Sequence, residues 1–228
     1  MKALIPAAGK GTRLRPLTNQ KPKALVEVKG EALIRHLVEE LRSLGVEEIS
    51  VIKGYLGDKL EANLKDFEDL DFLEQEEQLG TAHAVGTSSF KDPFLVVNGD
   101  VYIHPENLER VIRSFEENRP EAVIGSKEVE SPEEFGVLEV ENGVVKGIEE
   151  KPDNPPSNLI NTGVYLFKPL IYDYIERTGM SERGEYEITD SIQLMIQDGH
   201  AVTHTPFKKY WVDVGRREDL ERARNVDG

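Results

Sequence analysis

The chain has 228 residues, no cysteine and a formal net charge of −15, from 28 lysine and arginine against 43 aspartate and glutamate residues. The lack of cysteine excludes a disulfide framework and a thiolate zinc site, and the negative charge argues against nucleic acid as a substrate, because phosphate backbones need broad basic surfaces. The sequence has neither an apolar stretch long enough for a membrane span nor the apolar run of a signal peptide, so we expect a cytoplasmic protein without a membrane partner.

The first 120 residues alternate short β-rich runs with helical patterns, which is typical of a largely parallel sheet flanked by helices. Apolar residues between positions 31 and 44 recur at helical spacing, and Gly45 ends the pattern. Phe94-Leu95-Val96-Val97 is apolar throughout, as in a buried strand, and Asn98-Gly99-Asp100 follows at its carboxyl end. We predict strands over 2–5, 49–52, 71–73 and 94–97, and helices over 31–44, 55–64 and 82–88.

The second half is richer in β-structure. Two of its predicted strands flank Asn142-Gly143, a dipeptide favoured in tight hairpin turns. We predict strands over 122–126, 137–140, 144–148, 160–167 and 211–214, and helices over 188–197 and 217–224. No internal repeat or long linker divides the chain, so we expect a single α/β domain over 1–228, with Tyr165, Phe167 and Trp211 in its core.

Residues 1–26 hold six basic side chains and no acidic one. A local cationic segment in an acidic protein, with Gly9-Lys10-Gly11-Thr12-Arg13 directly after the first strand, is suited to binding a small polyanion such as a phosphate group. The spacing excludes a P-loop, which needs four residues between its first glycine and Gly-Lys-Ser/Thr. A dinucleotide-binding G-x-G-x-x-G is also excluded, because position 14 is Leu14.

At these residues the chain resembles the sugar-1-phosphate nucleotidylyltransferases, or NDP-sugar pyrophosphorylases, whose signature is G-x-G-T-R-L followed after about ten residues by P-K. Six further segments match in family order: 78–84, 98–100, 135–139, 149–152, 161–165 and 211–215. The resemblance implies a Rossmann-like, GT-A-type domain with a mostly parallel mixed central sheet, a nucleotide-binding half over about 1–120 and a sugar-binding half over about 121–228. Many relatives append a left-handed β-helix, which we do not expect in this chain.

The resemblance also implies a reaction in which an oxygen of a sugar 1-phosphate attacks the α-phosphorus of an NTP and expels pyrophosphate. Because the nucleophile is already an anion, the chemistry depends on positioning and charge stabilisation and not on a general base. The matching residues imply that Arg13 contacts the pyrophosphate side and that Lys23 contacts the α-phosphate and the sugar phosphate. Asp100 and Asp213 are the implied ligands of the cofactor Mg²⁺, which prefers carboxylate oxygens.

Two further groups of residues are implied to bind the substrates. The nucleotide-binding group consists of Ala7, Ala8, Gly9, Gly11, Thr12, Gln75, Gln78, Gly80 and Thr81. The glutamine amides offer both a donor and an acceptor to the imide edge of uracil or thymine, which favours UTP, then dTTP, over CTP. The group for the sugar phosphate consists of Gly136, Glu149 or Glu150, Lys151, Asn161 and Thr162. Glucose 1-phosphate and N-acetylglucosamine 1-phosphate both remain open as substrates.

Two alternative functions agree less well with these residues. A cytidylyltransferase for inositol or choline phosphate is disfavoured by the two glutamines and by Glu150-Lys151-Pro152. A non-catalytic regulatory subunit would be expected to lack part of the set Arg13, Lys23, Asp100 and Asp213, yet all four are present. We therefore expect small-molecule substrates as partners, and a monomer or homodimer.

Overall fold

The computed structural model describes residues 1–226, so the last two residues of the predicted domain lie outside the described part of the chain. It has a mixed α/β architecture, which confirms the predicted fold class. The strands of the described residues are β1 Lys2–Pro6, β2 Glu27–Val28, β3 Glu31–Ala32, β4 Glu48–Lys53, β5 Leu70–Glu74, β6 Phe94–Val97, β7 Val101–Ile103, β8 Ala122–Glu128, β9 Gly136–Glu141, β10 Val144–Glu150, β11 Leu159–Phe167, β12 Val202–Pro206 and β13 Trp211–Asp213. The α-helices are α1 Leu33–Ser43, α2 Gly57–Asn63, α3 Thr81–Val85, α4 Pro105–Asn118, α5 Ile171–Arg177, α6 Ile188–Gln197 and α7 Arg217–Arg224.

Nine of the strands form one sheet in the order β5-β4-β1-β6-β11-β8-β12-β10-β9. The expected parallel pairing holds for the first half, where β5, β4, β1 and β6 run in the same direction. It does not hold for most of the second half: β11 pairs antiparallel with β6 and with β8, and β10 pairs antiparallel with β9 and with β12. The β9–β10 hairpin turns at Asn142-Gly143 as predicted. Such a short connection is possible because the two strands are antiparallel; parallel neighbours need a long crossover.

A separate two-stranded ribbon of β7 and β13 lies beside the carboxyl end of β6. Its antiparallel register places Asp213 opposite Val101, the residue that follows Asp100. The N–H of Val214 donates to the carbonyl oxygen of Asp100 at 3.0 Å, which extends this pairing past the strand ends. The ribbon thereby brings two aspartates from distant parts of the sequence to one place.

Side chains alternate across the central sheet and fill a hydrophobic core on each face. Along β11, Val164 and Leu166 face the core that contains α1 and α4, whereas Tyr165 and Phe167 face the core that contains α3, α5 and α6. A third, smaller core joins Leu14 to the β7–β13 ribbon and α7. Leu14 is fully buried there, which anchors the basic loop of residues 9–15 against the ribbon.

Helix boundaries follow local sequence signals. Helix α1 begins at Leu33 and not at the predicted Glu31, because Glu31–Ala32 pairs with β2. Helix α4 is absent from the predicted elements although it has a clear start, since Pro105 occupies its first turn and the ring of His104 accepts the N–H of Glu106 at 3.2 Å. None of the helices in residues 1–226 combines the length and apolar composition needed to cross a bilayer.

Removing the ring of Phe167 tests the core between the sheet and α5–α6. Phe167 is fully buried, and its ring centroid lies 6.1 Å from that of Phe94. We expect Phe167→Ala to lower the free energy of unfolding by about 3–5 kcal/mol, because it leaves a cavity in a packed layer. Urea titration measures the change, with Met180→Ala as the control.

Met180 is 54% exposed. Its truncation should change the free energy of unfolding by less than about 0.5 kcal/mol. A loss of less than about 1 kcal/mol for Phe167→Ala would contradict the described packing.

Candidate active site

The charged centre of the site consists of Lys23, Asp100 and Asp213. The Nζ atom of Lys23 donates to Oδ2 of Asp100 at 2.5 Å and lies 3.5 Å from Oδ1 of Asp213. The Lys23 side chain is 13% exposed and the two carboxylates are each 30% exposed. The three groups therefore share one half-buried volume at the carboxyl ends of β6 and β13.

The pKa values of Asp213 and Lys23 are both shifted in this centre. Burial, and after it the neighbouring Asp100 carboxylate, raise the pKa of Asp213 to about 6 against the lowering effects of Lys23 and Arg13. Burial by itself lowers the pKa of Lys23, but the two carboxylates outweigh that effect and hold its pKa above the ordinary value. A cation at this position is what allows two carboxylates to remain close together.

The basic loop after β1 is shaped to bring Lys23 to this centre. The Oγ1 atom of Thr18 donates to the carbonyl oxygen of Gly11 at 2.7 Å, which closes the loop. A Cβ atom on Gly11 would lie only 2.9 Å from Cβ of Lys23, so the loop can fold over Lys23 only because residue 11 has no side chain. Arg13 projects from the same loop and lines the cavity beside Asp213.

A cavity of about 170 Å³ opens next to the charged centre, between the basic loop and the second half of the chain. Its polar side chains come from both halves: Arg13, Thr81, Asn98, Asp100, Glu134, Glu150, Lys151, Asn161, Thr162, Tyr165, Glu185, Glu187 and Asp213; Gly136 also lines it. Lys151 contacts Oε1 of Glu150 at 3.3 Å, and the Thr189 hydroxyl donates to Oε2 of Glu150 at 3.2 Å. Burial raises the pKa of Glu150 above its ordinary range.

The amide of Asn161 is largely used within the protein. Its Nδ2 donates to the hydroxyl of Tyr165 at 2.5 Å, and its Oδ1 accepts the N–H of Gly163 at 2.9 Å. The side chain of Thr162 is likewise engaged, since its hydroxyl donates to the carbonyl oxygen of Gly125 at 2.8 Å. The second N–H of the Asn161 amide takes part in neither of these bonds, and the residue lines the cavity.

On the other side of the basic loop, several of the predicted nucleotide-binding residues meet around Gly54. A Cβ atom on Gly54 would lie 2.7 Å from Cβ of Ala8 and 3.1 Å from Nε2 of Gln78. Gln75 is 4% exposed, and its Nε2 lies 3.2 Å from the carbonyl oxygen of Gly80 and 2.9 Å from Nδ1 of His83. The amide nitrogen of Gln75 therefore holds the loop of residues 75–80 in place.

Comparison with known proteins agrees with this arrangement. The family model described as nucleotidyl transferase matches residues 2–227. The chain belongs to the nucleotidyl transferase family. This confirms the resemblance stated above from the signature and the six matching segments.

Individual relatives of this nucleotidyl transferase extend the comparison. This chain is 40% identical to the bifunctional protein GlmU of Methanocaldococcus jannaschii, over 98% of this chain and 53% of the relative. It is 37% identical to the UTP–glucose-1-phosphate uridylyltransferase AglF of Haloferax volcanii, covering 98% of its own length and 95% of the relative. A solved UDP-glucose pyrophosphorylase complexed with UDP-glucose superposes with a TM-score of 0.84 at 27% identity, over 98% of this chain and 97% of that one. The chain thus spans about half of the bifunctional relative and nearly all of the other two.

Nine of the nineteen predicted site residues line the cavity: Arg13, Thr81, Asp100, Gly136, Glu150, Lys151, Asn161, Thr162 and Asp213. Glu150 lines it, whereas Glu149 is exposed on the opposite face of β10 and lines a different cavity with Gln193. This follows from the alternation of side chains along a strand. Gly9 and Thr12 are exposed in the basic loop and do not line the cavity.

Sequence reasoning missed several lining residues of the nucleotidyl transferase. Tyr165 and Trp211 are buried, as expected of core residues, but they also line the cavity. Asn98 lies in the matching segment 98–100, whereas Glu187 lies outside all six segments; neither is among the predicted site residues. A hydrogen bond from Nε1 of Trp211 to the carbonyl oxygen of Thr162, at 3.0 Å, ties the cavity wall to the ribbon.

An alanine substitution at Gly163 tests the close packing between Gly163 and Asn98 in the cavity wall. Gly163 has φ +72°, and an added Cβ would lie 2.9 Å from Cγ of Asn98. Gly143 in the hairpin turn has φ +79° with no atom within 4 Å of an added Cβ. Both alanine variants therefore incur the cost of positive φ, about 1 kcal/mol, but only Gly163→Ala also creates a clash.

We expect Gly163→Ala to be less stable than Gly143→Ala by about 1–3 kcal/mol in urea unfolding. Equal stability of the two variants would show that Asn98 does not pack against Gly163 as described.

Proposed function

We propose that the chain is a sugar-1-phosphate nucleotidylyltransferase that transfers a nucleotidyl group from an NTP to a sugar 1-phosphate. The observation that carries the proposal is the close group of Lys23, Asp100 and Asp213 beside Arg13, at the edge of a cavity whose far wall holds Glu150 and Asn161. Lys23 and Arg13, which suit phosphates, thus adjoin a carboxylate acceptor and an amide donor that suit sugar hydroxyls. The names of the relatives, among them a UTP–glucose-1-phosphate uridylyltransferase, support the same reaction class.

In the proposed reaction an oxygen of the sugar phosphate forms a bond to the α-phosphorus of the NTP. The bond from that phosphorus to the oxygen bridging to the β-phosphate breaks in line, and pyrophosphate leaves with the electron pair. No proton has to be removed from the nucleophile. Lys23 is suited to hold the two reacting phosphates together, and Arg13 is suited to neutralise the charge that builds up on the departing pyrophosphate.

The two aspartates fit a divalent cation. Oδ1 of Asp213 is buried and has no hydrogen-bond partner among residues 1–226. The Asp100 carboxylate is its neighbour, since Nζ of Lys23 contacts both carboxylates. No group of three or more histidine, aspartate or glutamate side chains in the described residues could hold a metal. Mg²⁺ matches this donor set, because it commonly takes one or two carboxylates and completes its shell with phosphate oxygens and water. When bound, it would screen the triphosphate charge and polarise the α-phosphate.

For the substrates, we propose UTP first and dTTP second, with glucose 1-phosphate or N-acetylglucosamine 1-phosphate as acceptor. Ala7, Ala8, Gly9, Gly11, Thr12, Gln75, Gln78, Gly80 and Thr81 form the proposed nucleotide side, and Gly136, Glu150, Lys151, Asn161 and Thr162 the sugar side. Gln78 is the stronger candidate to contact the base, because Gln75 is 4% exposed and its amide nitrogen bonds within the protein at 2.9 and 3.2 Å, whereas that of Gln78 makes only longer contacts, at 3.4 and 3.5 Å. The buried Glu150 carboxylate is suited to accept hydroxyl groups of the sugar.

The role of Lys23 is tested against a lysine two residues away. Lys23→Ala removes the ammonium group that faces both phosphates in the proposed reaction, so we expect kcat to fall by about 10²–10³-fold or more. Lys21→Ala removes an ammonium group paired with Glu27 at 3.3 Å on the surface, and it should change kcat by less than about twofold.

Steady-state kinetics with circular dichroism separates loss of function from loss of fold. Asp100→Ala should behave like Lys23→Ala. If Lys23→Ala and Asp100→Ala are both folded and keep near-normal turnover, the assignment of the active site to these residues is wrong.

The substrate assignment is tested by incubating the protein and Mg²⁺ with each common NTP and each of several sugar 1-phosphates, and measuring pyrophosphate release. We expect the strongest signal with UTP, a weaker one with dTTP, and little with CTP, because cytosine presents a different donor and acceptor pattern. Glucose 1-phosphate or N-acetylglucosamine 1-phosphate should be the acceptor. A folded protein that binds UTP but releases no pyrophosphate with any pair would favour the regulatory function.

A further inference from the structure

The loop that leads into α3 and the segment that leads into α6 are joined by three hydrogen bonds. The N–H of Tyr186 donates to the carbonyl oxygen of Leu79 at 2.7 Å, and the N–H of Ala82 donates to the carbonyl oxygen of Tyr186 at 2.8 Å. The N–H of Ile188 donates to Oγ1 of Thr81 at 2.9 Å. We call this contact between residues 79–82 and 186–188 the seam.

The seam is a close approach of two backbones. Gly80 has φ +113°, and an added Cβ would lie 2.5 Å from the carbonyl oxygen of Tyr186 and 2.7 Å from its nitrogen. No side chain can be accommodated at residue 80 without separating the two segments. The two segments therefore cannot move independently while the seam is intact.

One side of the seam belongs to the proposed nucleotide loop. Gln75 donates to the carbonyl oxygen of Gly80, and Gln78 folds back so that its Nε2 lies 3.4 Å from the carbonyl oxygen of Gln75. Leu79, Gly80 and Thr81 continue directly from these glutamines. A nucleotide base that orders the glutamines would therefore order the seam as well.

The other side of the seam belongs to the cavity wall that holds Glu150 and Asn161, which we call the sugar wall. Glu187 and Ile188 line the cavity, and Glu187 is 4% exposed and paired with Arg183 at 3.1 Å. The next residue, Thr189, donates its hydroxyl to Glu150. A shift of the segment at the start of α6 would therefore move the carboxylates that face the sugar.

Only one of the three seam bonds uses a side chain. Ile188 is the first residue of α6, so its N–H has no acceptor within the helix and depends on an outside group. Oγ1 of Thr81 is that group, and it lies where the nucleotide loop and the cavity meet. The hydroxyl thus supports the sugar wall from the nucleotide side.

We propose that Thr81 is a positioning residue that couples occupation of the nucleotide loop to binding of the sugar phosphate. This inference rests on the proposed function. Ordering of the seam by the nucleotide fixes the segment 186–189 and presents Glu150 and Glu187 in their binding positions. The sugar phosphate then binds more tightly to the nucleotide complex than to the free enzyme, by a coupling that is reciprocal.

The coupling is measured by isothermal titration of glucose 1-phosphate into the full chain with Mg²⁺, with and without saturating α,β-methylene UTP, whose α–β bridge cannot be cleaved. In the natural protein we expect the analogue to lower the Kd of glucose 1-phosphate by about fivefold or more. Thr81→Val keeps the shape but removes the acceptor, and it should bring the ratio of the two Kd values to about 1. Thr81→Ser restores the acceptor and should restore the ratio.

Thr87→Val is the matched control. Its hydroxyl donates to the carbonyl oxygen of Ala84 at the end of the same helix and has no contact with the seam, so the ratio should stay at the natural value. A ratio of the two Kd values near 1 in the natural protein, or an unchanged ratio in Thr81→Val, would overturn the coupling while leaving the proposed function intact. Failure of the natural protein to bind either ligand would overturn the proposed function, and the coupling with it.

Discussion

Two ionised carboxylates repel each other in a half-buried pocket unless a cation offsets their charge, and in this protein the cation is Lys23. The three groups come from distant parts of the sequence: Lys23 from the segment between the basic loop and β2, Asp100 from the residues after β6 and Asp213 from the β7–β13 ribbon. Desolvation opposes each charge separately, while the contacts among them offset that cost. The raised pKa of Asp213 shows how far this balance departs from that of an exposed carboxyl group.

The fold supplies the positions that this balance requires. Parallel strands β1, β4 and β6 end at the same edge of the sheet, so the basic loop and Asp100 are neighbours, as is usual for ligand sites in open α/β sheets. Antiparallel β11 then joins the second half to β6, which places Asn161 and Thr162 beside the same edge. The seam between residues 79–82 and 186–188 adds a second link between the halves, close to where both proposed substrates meet.

Much of this arrangement could be predicted from local patterns. The apolar run of β6, the hairpin at Asn142-Gly143 and the helices over 188–197 and 217–224 agree with the observed bounds, because each depends on periodicity or turn chemistry within a few residues. Helix α4 was not predicted although Leu108, Val111, Ile112 and Phe115 recur at helical spacing, so its pattern too was present in the local sequence. The antiparallel insertion of β11 between β6 and β8 depends on pairing between strands far apart in sequence, which local patterns do not contain.

The site shows the same division. Family motifs located Lys23, Asp100 and Asp213, and the structure brings all three together, but neither their contact distances nor the choice between Glu149 and Glu150 could be read from spacing. Alternation along β10 decides that Glu150 lines the cavity. Tyr165 and Trp211 have the composition of core residues and are buried, so nothing in the sequence alone marked them as cavity residues. The hydroxyl of Thr81 bonds to a residue more than a hundred positions away, at a place where only the folded chain makes the connection.

The central claim is that fixed charge, and not a covalent nucleophile of the protein, drives the transfer. The most direct test is the stereochemical course at the α-phosphorus, using UTP made chiral there by sulfur substitution and reading the configuration of the UDP-sugar product by phosphorus NMR. A single in-line displacement between phosphates held by Lys23 and Arg13 predicts inversion of configuration. Retention would indicate two successive displacements through a nucleotidylated side chain, and it would contradict the account.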